Sequence, residues 1–146
     1  MNNNIGIILD PNSFKNIETV SKLAEKNGFH SLWVTELFRS SFEQMVYISQ
    51  LTKKIKIGSA VTLAFTRSPL VTTISSLDID EISKGRLILG IGSGAINTNR
   101  KWHGNTLFDN PAERIESFYK VFRSIERSLV FREDLIYSDD FYNLEM

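Results

Sequence analysis

The sequence predicts an α/β protein in which four strands alternate with four helices. Short apolar runs of strand length recur along the 146 residues, and each is followed by apolar residues at helical spacing. This alternation requires a parallel sheet with right-handed crossover connections. Two architectures satisfy it, a doubly wound open sheet and half of a (β/α)8 barrel, and periodicity does not separate them.

The first two strand–helix pairs are predicted in the first third of the chain. Residues 5–9 form a short strand, and the helix after it ends at residues 27–28, Asn-Gly. Residues 31–35 form the second strand. Ser41 and Gln44 have the spacing of a capping box and open the second helix. The apolar positions of these two helices are Ile17, Val20, Leu23, Ala24, Phe42, Met45, Val46 and Leu51.

The third and fourth pairs follow the same scheme. Residues 55–63 form the third strand, and Ser-Pro at 68–69 starts the next helix, because proline is favoured at the first helical position. Residues 87–91 form the fourth strand. A turn-rich stretch at 92–110 precedes the last helix, with Asn110 as its N-cap. The apolar positions of this helix are Ile115, Phe118, Tyr119, Phe122, Ile125 and Leu129.

The composition excludes several classes of function. Hydrophobic residues make up 42% and charged residues 23%, which is typical of a globular protein. Seventeen basic residues balance 17 acidic ones, so no net field favours nucleic acid or an anionic membrane. The absence of cysteine excludes disulfides, thiolate metal sites and a catalytic thiol. Without a basic leader or a long apolar run, we expect one cytoplasmic domain over residues 1–146 that binds neither nucleic acid nor membrane.

A glycine run at residues 90–95 has the pattern G-x-G-x-x-A. In a dinucleotide-binding fingerprint this turn opens a helix directly and follows the first strand. Here it follows the fourth predicted strand and precedes residues typical of a loop, such as Asn97 and the segment 102–105. We therefore interpret it as a strand end where backbone approaches a ligand, or as a plain tight turn.

Three further features have both a structural and a functional interpretation. Residues 66–69 (TRSP) are either a helix cap with a solvent-facing arginine or a ligand-binding loop at the carboxyl end of the sheet. Glu36, just after the second strand, is either a surface ion-pair partner or a ligand-binding acid or base. His30 and His103 lack the spacing of metal ligands, so no metal site is expected.

Four segments in the same order resemble the luciferase-like superfamily of flavin- and deazaflavin-dependent oxidoreductases, which includes methylenetetrahydromethanopterin reductases. They are residues 24–36 (AEKNGFHSLWVTE), 58–69 (GSAVTLAFTRSP), 77–94 (LDIDEISKGRLILGIGSG), and 111–114 (PAER) with 141–144 (FYNL). The third segment is the most specific. Together they extend over nearly the whole chain.

The resemblance implies the N-terminal half of a (β/α)8 barrel, four βα units of eight. It implies an isoalloxazine cofactor, either FMN or the deazaflavin coenzyme F-420, across the carboxyl ends of the strands, and a non-proline cis peptide near residues 60–61. No catalytic residue is assigned, with Glu36 as a candidate only. The residues that the resemblance assigns to the cofactor are Glu36, Ala60, Val61, Thr62, Ser93 and Gly94.

Two positions depart from the family's pattern. Leu37 stands where many members have a histidine, and Ala95 stands where deazaflavin-dependent relatives often have a glutamate. Because the family carries out proton chemistry at both positions, activity as an oxidoreductase or monooxygenase stays open. The alternative is a non-catalytic half-barrel remnant that acts as an interaction subunit.

A half barrel has a physical consequence for its partners. Its first and fourth strands are sheet edges with unpaired backbone groups, and one apolar face of the sheet is uncovered. The phosphate-binding loops of such barrels commonly follow strands seven and eight. We therefore expect a homo-oligomer or a separately encoded C-terminal half to complete the cofactor site and to admit a small-molecule substrate.

Overall fold

The computed structural model describes residues 4–9, 13–104 and 110–146 and confirms an α/β protein. In chain order the elements are β1 (Gly6–Leu9), α1 (Phe14–Lys26), β2 (Ser31–Val34), α2 (Ser41–Leu51), β3 (Lys56–Ser59), β4 (Thr62–Leu63), a 3₁₀ turn (Ala64–Thr66), α3 (Pro69–Ser83), β5 (Leu87–Ile88), β6 (Ile91–Gly92), α4 (Ile96–Lys101), α5 (Pro111–Phe131), β7 (Ile136–Ser138) and β8 (Asn143–Glu145).

The helix starts follow local chemistry. The Ser13 hydroxyl accepts a hydrogen bond from the backbone N–H of Asn16 at 3.2 Å, which caps α1. Pro69 and Pro111 are the first residues of α3 and α5, as the sequence predicts. Asn110 is the N-cap of α5 and adopts a left-handed backbone, with φ 47° and no side-chain cap bond.

The first of two compact units comprises residues 1–62 and 78–91. Its sheet has the strand order β1-β2-β3-β5, and each neighbouring pair is parallel. A doubly wound sheet reverses its strand order at a switch point, whereas successive strands of a barrel lie side by side. The observed order therefore favours the barrel architecture. β4 and β6 pair separately as a two-stranded sheet.

One face of this sheet is covered by helices and the other is open. Leu32, Val34 and Ile57 are fully buried on the covered face. On the open face Ile8 is 65% exposed and Ile88 is 36% exposed. Since β1 and β5 lie at the two ends of the strand order, the predicted edge strands are confirmed. The second face is exposed at these outer strands, whereas the Trp33 ring covers Gly58 at its centre. The other buried side chains of this core are Leu9, Ile17, Ala24, Phe42, Met45, Ile48, Ile55 and Ile79.

Arg86, just before β5, joins the amino-terminal end of the sheet to the helices. Its guanidinium donates to the carbonyl oxygens of Ser83, Ser49, Thr52 and Ile55 at 2.6 to 3.1 Å, and to the Thr52 hydroxyl at 2.8 Å. Carbonyls at a helix C-terminus lack partners within the helix. A single buried cation therefore satisfies the ends of α2 and α3 and the start of β3.

Glu25 closes the same end of the unit from α1. One carboxylate oxygen accepts hydrogen bonds from the backbone N–H groups of Lys53, Lys54 and Ile55 at 2.7, 2.6 and 3.1 Å. Burial raises the pKa of the Glu25 carboxyl, but these bonds and the charge of Arg86 outweigh it, and the pKa lies below its ordinary value of 4.5. The turn before β3 is thus held by an anion and a cation.

The second compact unit comprises residues 63–77 and 92–146. α5 buries Phe118, Val121 and Ile125 completely. β7 and β8 form an antiparallel hairpin after it, in which Tyr142 meets Phe118 edge to face at a centroid distance of 6.0 Å. The extended segment expected after the last helix is therefore one part of a hairpin that packs on α5.

Asp139 organises the turn of this hairpin. One carboxylate oxygen accepts hydrogen bonds from the hydroxyls of Ser117 and Tyr137, and the other accepts from the backbone N–H groups of Phe141 and Tyr142, both at 2.8 Å. Burial raises the pKa of Asp139, but the four hydrogen bonds outweigh it and lower the pKa to about 2.

The stretch at 92–110 is not simply a loop, and this prediction is wrong. It contains α4, which begins directly after its N-cap Ala95. Asn97 and Asn99 have low helix propensity, but Asn99 is fully buried, and tertiary packing overrides propensity in so short a helix. The prediction that a loop, and not a helix, follows the glycine run is therefore also wrong. The position of the run after the fourth barrel-type strand still separates it from a dinucleotide fingerprint.

Two of the predicted strands are interrupted. The third divides into β3 and β4 around residues 60–61, and the fourth divides into β5 and β6 around residues 89–90. The Ala60–Val61 peptide bond is cis, which confirms the expectation drawn from the resemblance.

The prediction of a capping box at the start of α2 is wrong, because Ser40 is the N-cap and no side-chain cap bond forms. Ser41 and Gln44 both turn inward and are fully buried instead. On α5, Tyr119 and Leu129 are 58% and 37% exposed, so two of its predicted core positions lie outside the buried stripe. Within the described residues, no helix combines the length and apolarity needed to span a bilayer.

We expect Arg86→Lys to lower the free energy of unfolding by about 2 kcal/mol, because an ammonium group cannot reproduce the fork of donors that serves several carbonyls. Chemical denaturation measures this change. The matched control is Arg123→Lys, whose side chain is 57% exposed in an ion pair with Glu126 and should cost less than about 0.5 kcal/mol. Equal effects of the two substitutions would contradict a structural role for Arg86.

We expect the β7–β8 hairpin to loosen on acidification. The pKa of Asp139 is lowered from 3.8 to about 2, so its contribution is complete above about pH 4 and is lost as the pH falls through about 2. The backbone N–H resonances of Phe141 and Tyr142 report this step in an NMR titration. Asp139→Asn should remove it and Asp140→Asn should keep it. An unchanged titration in Asp139→Asn would contradict the assignment.

Candidate functional site

The carboxyl ends of three parallel strands lie together at one end of the sheet of the first unit. Residues 35–36 follow β2, residues 60–61 follow β3, and residues 89–90 follow β5. The backbone N–H of Ala60 still donates to the carbonyl of Val34 at 2.8 Å, so the ends of β2 and β3 remain joined. We call residues 35–36, 60–61 and 89–90 the strand-end rim. Ligands of parallel α/β sheets bind at such carboxyl ends.

Ser59 fixes the middle of the strand-end rim. Its hydroxyl donates to the carbonyl of Gly90 at 2.9 Å and accepts from the N–H of Gly90 at 3.1 Å. The N–H of Thr62 donates to the same carbonyl at 2.7 Å. A Cβ at position 90 would lie 2.1 Å from the carbonyl oxygen of Ser59, so no other residue fits there without backbone movement. The ends of β3 and β5 are therefore locked together.

The predicted cofactor residues of the first unit differ in accessibility. Glu36 and Ala60 are half-buried, and Val61 is 36% exposed. Thr62 is fully buried, and its hydroxyl shares a hydrogen bond of 2.8 Å with that of Ser41 on α2. The first three residues thus present atoms at the strand-end rim, whereas Thr62 joins β4 to the start of α2.

The other two predicted residues, Ser93 and Gly94, are half-buried in the second unit. The Ser93 hydroxyl donates to the carbonyl of Gly94 at 3.3 Å. Gly94 has a φ of +70°, and a Cβ there would lie 2.6 Å from Leu63 Cδ2 and 3.1 Å from Asn99 Nδ2. Both the backbone conformation and the close neighbours require glycine. The segment is a shaped turn, packed against the end of β4.

In residues 66–69 the predicted helix cap forms, but Arg67 is half-buried rather than solvent-facing. The Ser68 hydroxyl accepts from the N–H of Val71 at 3.2 Å, which caps the start of α3. The Thr66 hydroxyl donates to the carbonyl of Leu63 at 3.0 Å and accepts from the Arg67 guanidinium at 3.3 Å. These polar groups are used within the turn.

The histidines and acidic residues do not form a metal-binding group in the described ranges. No set of three or more His, Asp or Glu side chains there is arranged to hold a cation. His103 is exposed after α4, and His30 is exposed before β2. Asn105 and the other residues at 105–109 lie outside the described residues.

Sequence reasoning missed two buried carboxamides that support the loops carrying candidate residues. Gln44 donates to the carbonyl of Thr35 at 2.9 Å, and Asn99 donates to that of Ser93 at 2.7 Å. Gln44 was interpreted as a capping residue and Asn99 as part of a loop. The sequence shows an amide side chain shortly after each strand end, but this pattern does not indicate that the side chain is buried.

We expect Gly94→Ala to destabilise the protein by about 2–3 kcal/mol, from the left-handed backbone together with the close contact with Leu63. Gly28→Ala is the matched control. Its φ is +75°, with nothing within 4 Å of the added methyl, so it should cost only about 1 kcal/mol. Thermal and chemical denaturation measure both. If the two variants are equally stable, the neighbours of Gly94 do not constrain the turn.

Comparison with known proteins places this geometry in a family. A family model described as luciferase-like monooxygenase matches residues 2–145. An uncharacterised protein of Mycobacterium tuberculosis is 26% identical over 132 residues, which is 90% of this chain and 38% of that protein.

Two solved structures are similar to this one. The coenzyme F-420-dependent tetrahydromethanopterin reductase of Methanopyrus kandleri has a TM-score of 0.76 at 27% identity, over 96% of this chain and 43% of that one. The oxygenating constituent of the 3,6-diketocamphane monooxygenase from Pseudomonas putida, solved with FMN, has a TM-score of 0.81 at 18% identity, over 97% and 42%. This chain spans less than half the length of each of these three relatives. With a family model that matches nearly all of its residues, the chain belongs to the luciferase-like monooxygenase family.

Proposed function

We propose that this chain is part of a flavin- or deazaflavin-dependent oxidoreductase or monooxygenase and holds an isoalloxazine ring at its strand-end rim. Membership of the luciferase-like family supports this chemistry. A bound isoalloxazine supplies hydride or electron transfer to a small-molecule substrate. The part of the protein is to bind and orient the ring and to exclude water from it.

One observation carries the proposal: the strand-end rim presents backbone rather than bulky side chains at the ends of β3 and β5. Ala60 contributes a single methyl group and Gly90 no side chain, and both are half-buried. Backbone without large side chains allows a flat ring to approach closely. The bonds of Ser59 to Gly90 hold this surface in one shape.

The chemistry of the predicted residues fits the two ends of an isoalloxazine ring, of which one is apolar and the other carries N–H and C=O groups. Val61 offers an exposed apolar side chain, and the Glu36 carboxylate can accept a hydrogen bond from a ring N–H. Thr62 supports the strand-end rim from behind, because it is fully buried, its hydroxyl bonds to Ser41 and its N–H donates to Gly90. The family resemblance assigns Ser93 and Gly94 to the same cofactor.

The proposal includes a second half that completes the barrel. Ile8 and Ile88 are exposed on the open face of the first unit, and β1 and β5 are its edges. Exposed edges and apolar faces of parallel sheets are normally covered. A second copy of this chain or a separately encoded C-terminal half would supply the cover and the loops for the cofactor's phosphate tail. The cytoplasmic location and the single domain expected from the sequence stay predictions.

The relatives do not choose between the two cofactors. The reductase from Methanopyrus kandleri is named for coenzyme F-420, and the monooxygenase from Pseudomonas putida was solved with FMN. Both cofactors share the ring system that the strand-end rim is proposed to hold. The experiment therefore uses each of them in a separate arm.

Two residues support the alternative, in which the chain is a non-catalytic interaction subunit. Leu37 is 48% exposed where many family members have a histidine, and Ala95 is exposed where deazaflavin-dependent relatives often have a glutamate. The apolar side chains at these two positions can neither donate nor accept a proton. This alternative predicts a stable dimer or hetero-complex that binds no cofactor.

We expect the purified protein, with any partner that copurifies, to shift the visible absorption and quench the fluorescence of FMN or coenzyme F-420 at micromolar concentrations. Val61→Asp places a charge beside the ring and should weaken binding about tenfold or more. Leu23→Asp is the matched control. Leu23 is 52% exposed near the C-terminal end of α1, which runs back toward the opposite end of the sheet.

Binding that Val61→Asp weakens and Leu23→Asp leaves unchanged supports the proposal. Absence of binding to both cofactors refutes it and favours the interaction subunit. Binding that both variants weaken equally would place the cofactor away from the strand-end rim.

A further inference from the structure

Two helices of this protein begin with the same unusual arrangement. The N-caps of α2 and α4, Ser40 and Ala95, form no side-chain cap hydrogen bond. Four residues after each N-cap stands a carboxamide, Gln44 or Asn99, that is fully buried. In each case the carboxamide oxygen has no hydrogen-bond partner. Buried polar atoms without partners are rare, so a repeated instance calls for a physical reason.

In the first unit, Gln44 ties the loop after β2 to the start of α2. Its Nε2 donates to the carbonyl oxygens of Thr35 at 2.9 Å and Ser40 at 3.1 Å. Thr35 is the last residue before Glu36, and Ser40 is the last before the helix. One side chain therefore holds both ends of the six-residue segment from 35 to 40 that carries the candidate carboxylate.

In the second unit, Asn99 does the same for the loop after β6. Its Nδ2 donates to the carbonyl oxygens of Ser93 at 2.7 Å and Ala95 at 3.1 Å. These two residues flank Gly94, the position that needs a left-handed backbone. The side chain thus closes a ring of hydrogen bonds around the turn that contains two predicted cofactor residues.

The direction of each carboxamide is fixed by what it faces. Turning the amide over would place its oxygen against two carbonyl oxygens and remove both hydrogen bonds. Both hydrogens are therefore used on the loop, and the oxygen is left without a donor. Burying an unpaired oxygen offsets much of the stabilisation that the two bonds provide. The principal effect of each carboxamide is then to restrict the loop to one conformation.

We infer that Gln44 and Asn99 are positioning residues, each of which clamps a strand-to-helix loop in the shape that presents the candidate cofactor residues. Gln44 acts on Glu36 through the carbonyl of Thr35, and Asn99 acts on Gly94 through the carbonyls of Ser93 and Ala95. Both side chains are fully buried, so their proposed effect on a cofactor is indirect. The role toward a cofactor rests on the proposed function, whereas the clamping of the loops does not.

The test measures backbone order in the two loops by ¹⁵N relaxation. Each variant has a matched control, an exposed amide on the same helix: Gln44→Ala is compared with Gln50→Ala, and Asn99→Ala with Asn97→Ala. The amides of Glu36 and Gly94 should show order parameters near 0.85 in the unchanged protein and below about 0.6 in the corresponding clamp variant. The exposed controls should match the unchanged protein, and so should residues of β2 and β3 in every variant.

A second pair of variants guards against failure to fold. Asn99→Leu and Gln44→Met keep the approximate volume of each side chain without adding a buried charge, but remove its donors. They should loosen the same loops. Order parameters that stay high at Glu36 and Gly94 in the clamp variants overturn the inference, and so does a loss of order that spreads evenly through the protein.

The cofactor titration separates this inference from the proposed function. If the unchanged protein binds FMN or coenzyme F-420, the clamp variants should bind it about tenfold more weakly at unchanged thermal stability of the core. If the loops loosen in the clamp variants but their affinity for the cofactor is unchanged, the proposed positioning role is wrong. If the unchanged protein binds neither cofactor, the proposed function fails, while the relaxation data still decide whether Gln44 and Asn99 clamp their loops.

Discussion

The first unit depends on the hydrogen bonds that the Arg86 guanidinium donates. Its guanidinium meets carbonyl oxygens at the ends of α2 and α3 and at the start of β3, three places that are far apart in the sequence. Because a planar guanidinium has fixed donor directions, it sets the distance between these segments as well as satisfying them. Glu25 holds the neighbouring turn by its backbone N–H groups. These two charged groups hold the turn that leads into β3, the strand that pairs in parallel with β2 and β5.

The two ends of the sheet are built on different principles. At the amino-terminal end, buried charges join segments and leave little exposed backbone, and this end of a barrel normally serves stability. At the carboxyl end, the Ser59 hydroxyl, the Gln44 carboxamide and Gly90 shape the chain while backbone stays half-exposed. The residues assigned to the cofactor all follow the carboxyl ends of strands. The first unit therefore holds its segments by buried charges at one end of the sheet and by neutral hydrogen bonds at the other.

The site was less predictable than the fold because its shape comes from contacts between distant residues. The resemblance assigns Thr62 to the cofactor, but Thr62 is fully buried and its hydroxyl bonds to that of Ser41, 21 residues away. Asn99 reads as loop, yet its burial makes α4 a helix. Glu36 lies just after β2, as the sequence predicts, whereas Ala60 and Val61, which are predicted to lie inside the third strand, fall between β3 and β4.

The sequence by itself determined the alternation of strands and helices, the parallel sheet and the family. These follow from apolar periodicity, from proline at the starts of α3 and α5, and from motifs that are local in the chain. Only the tertiary structure decided the consecutive strand order, the breaks at residues 60–61 and 89–90, and the burial of Gln44 and Asn99. Each of these is set by hydrogen bonds and packing between segments, which a linear pattern of residue types does not encode.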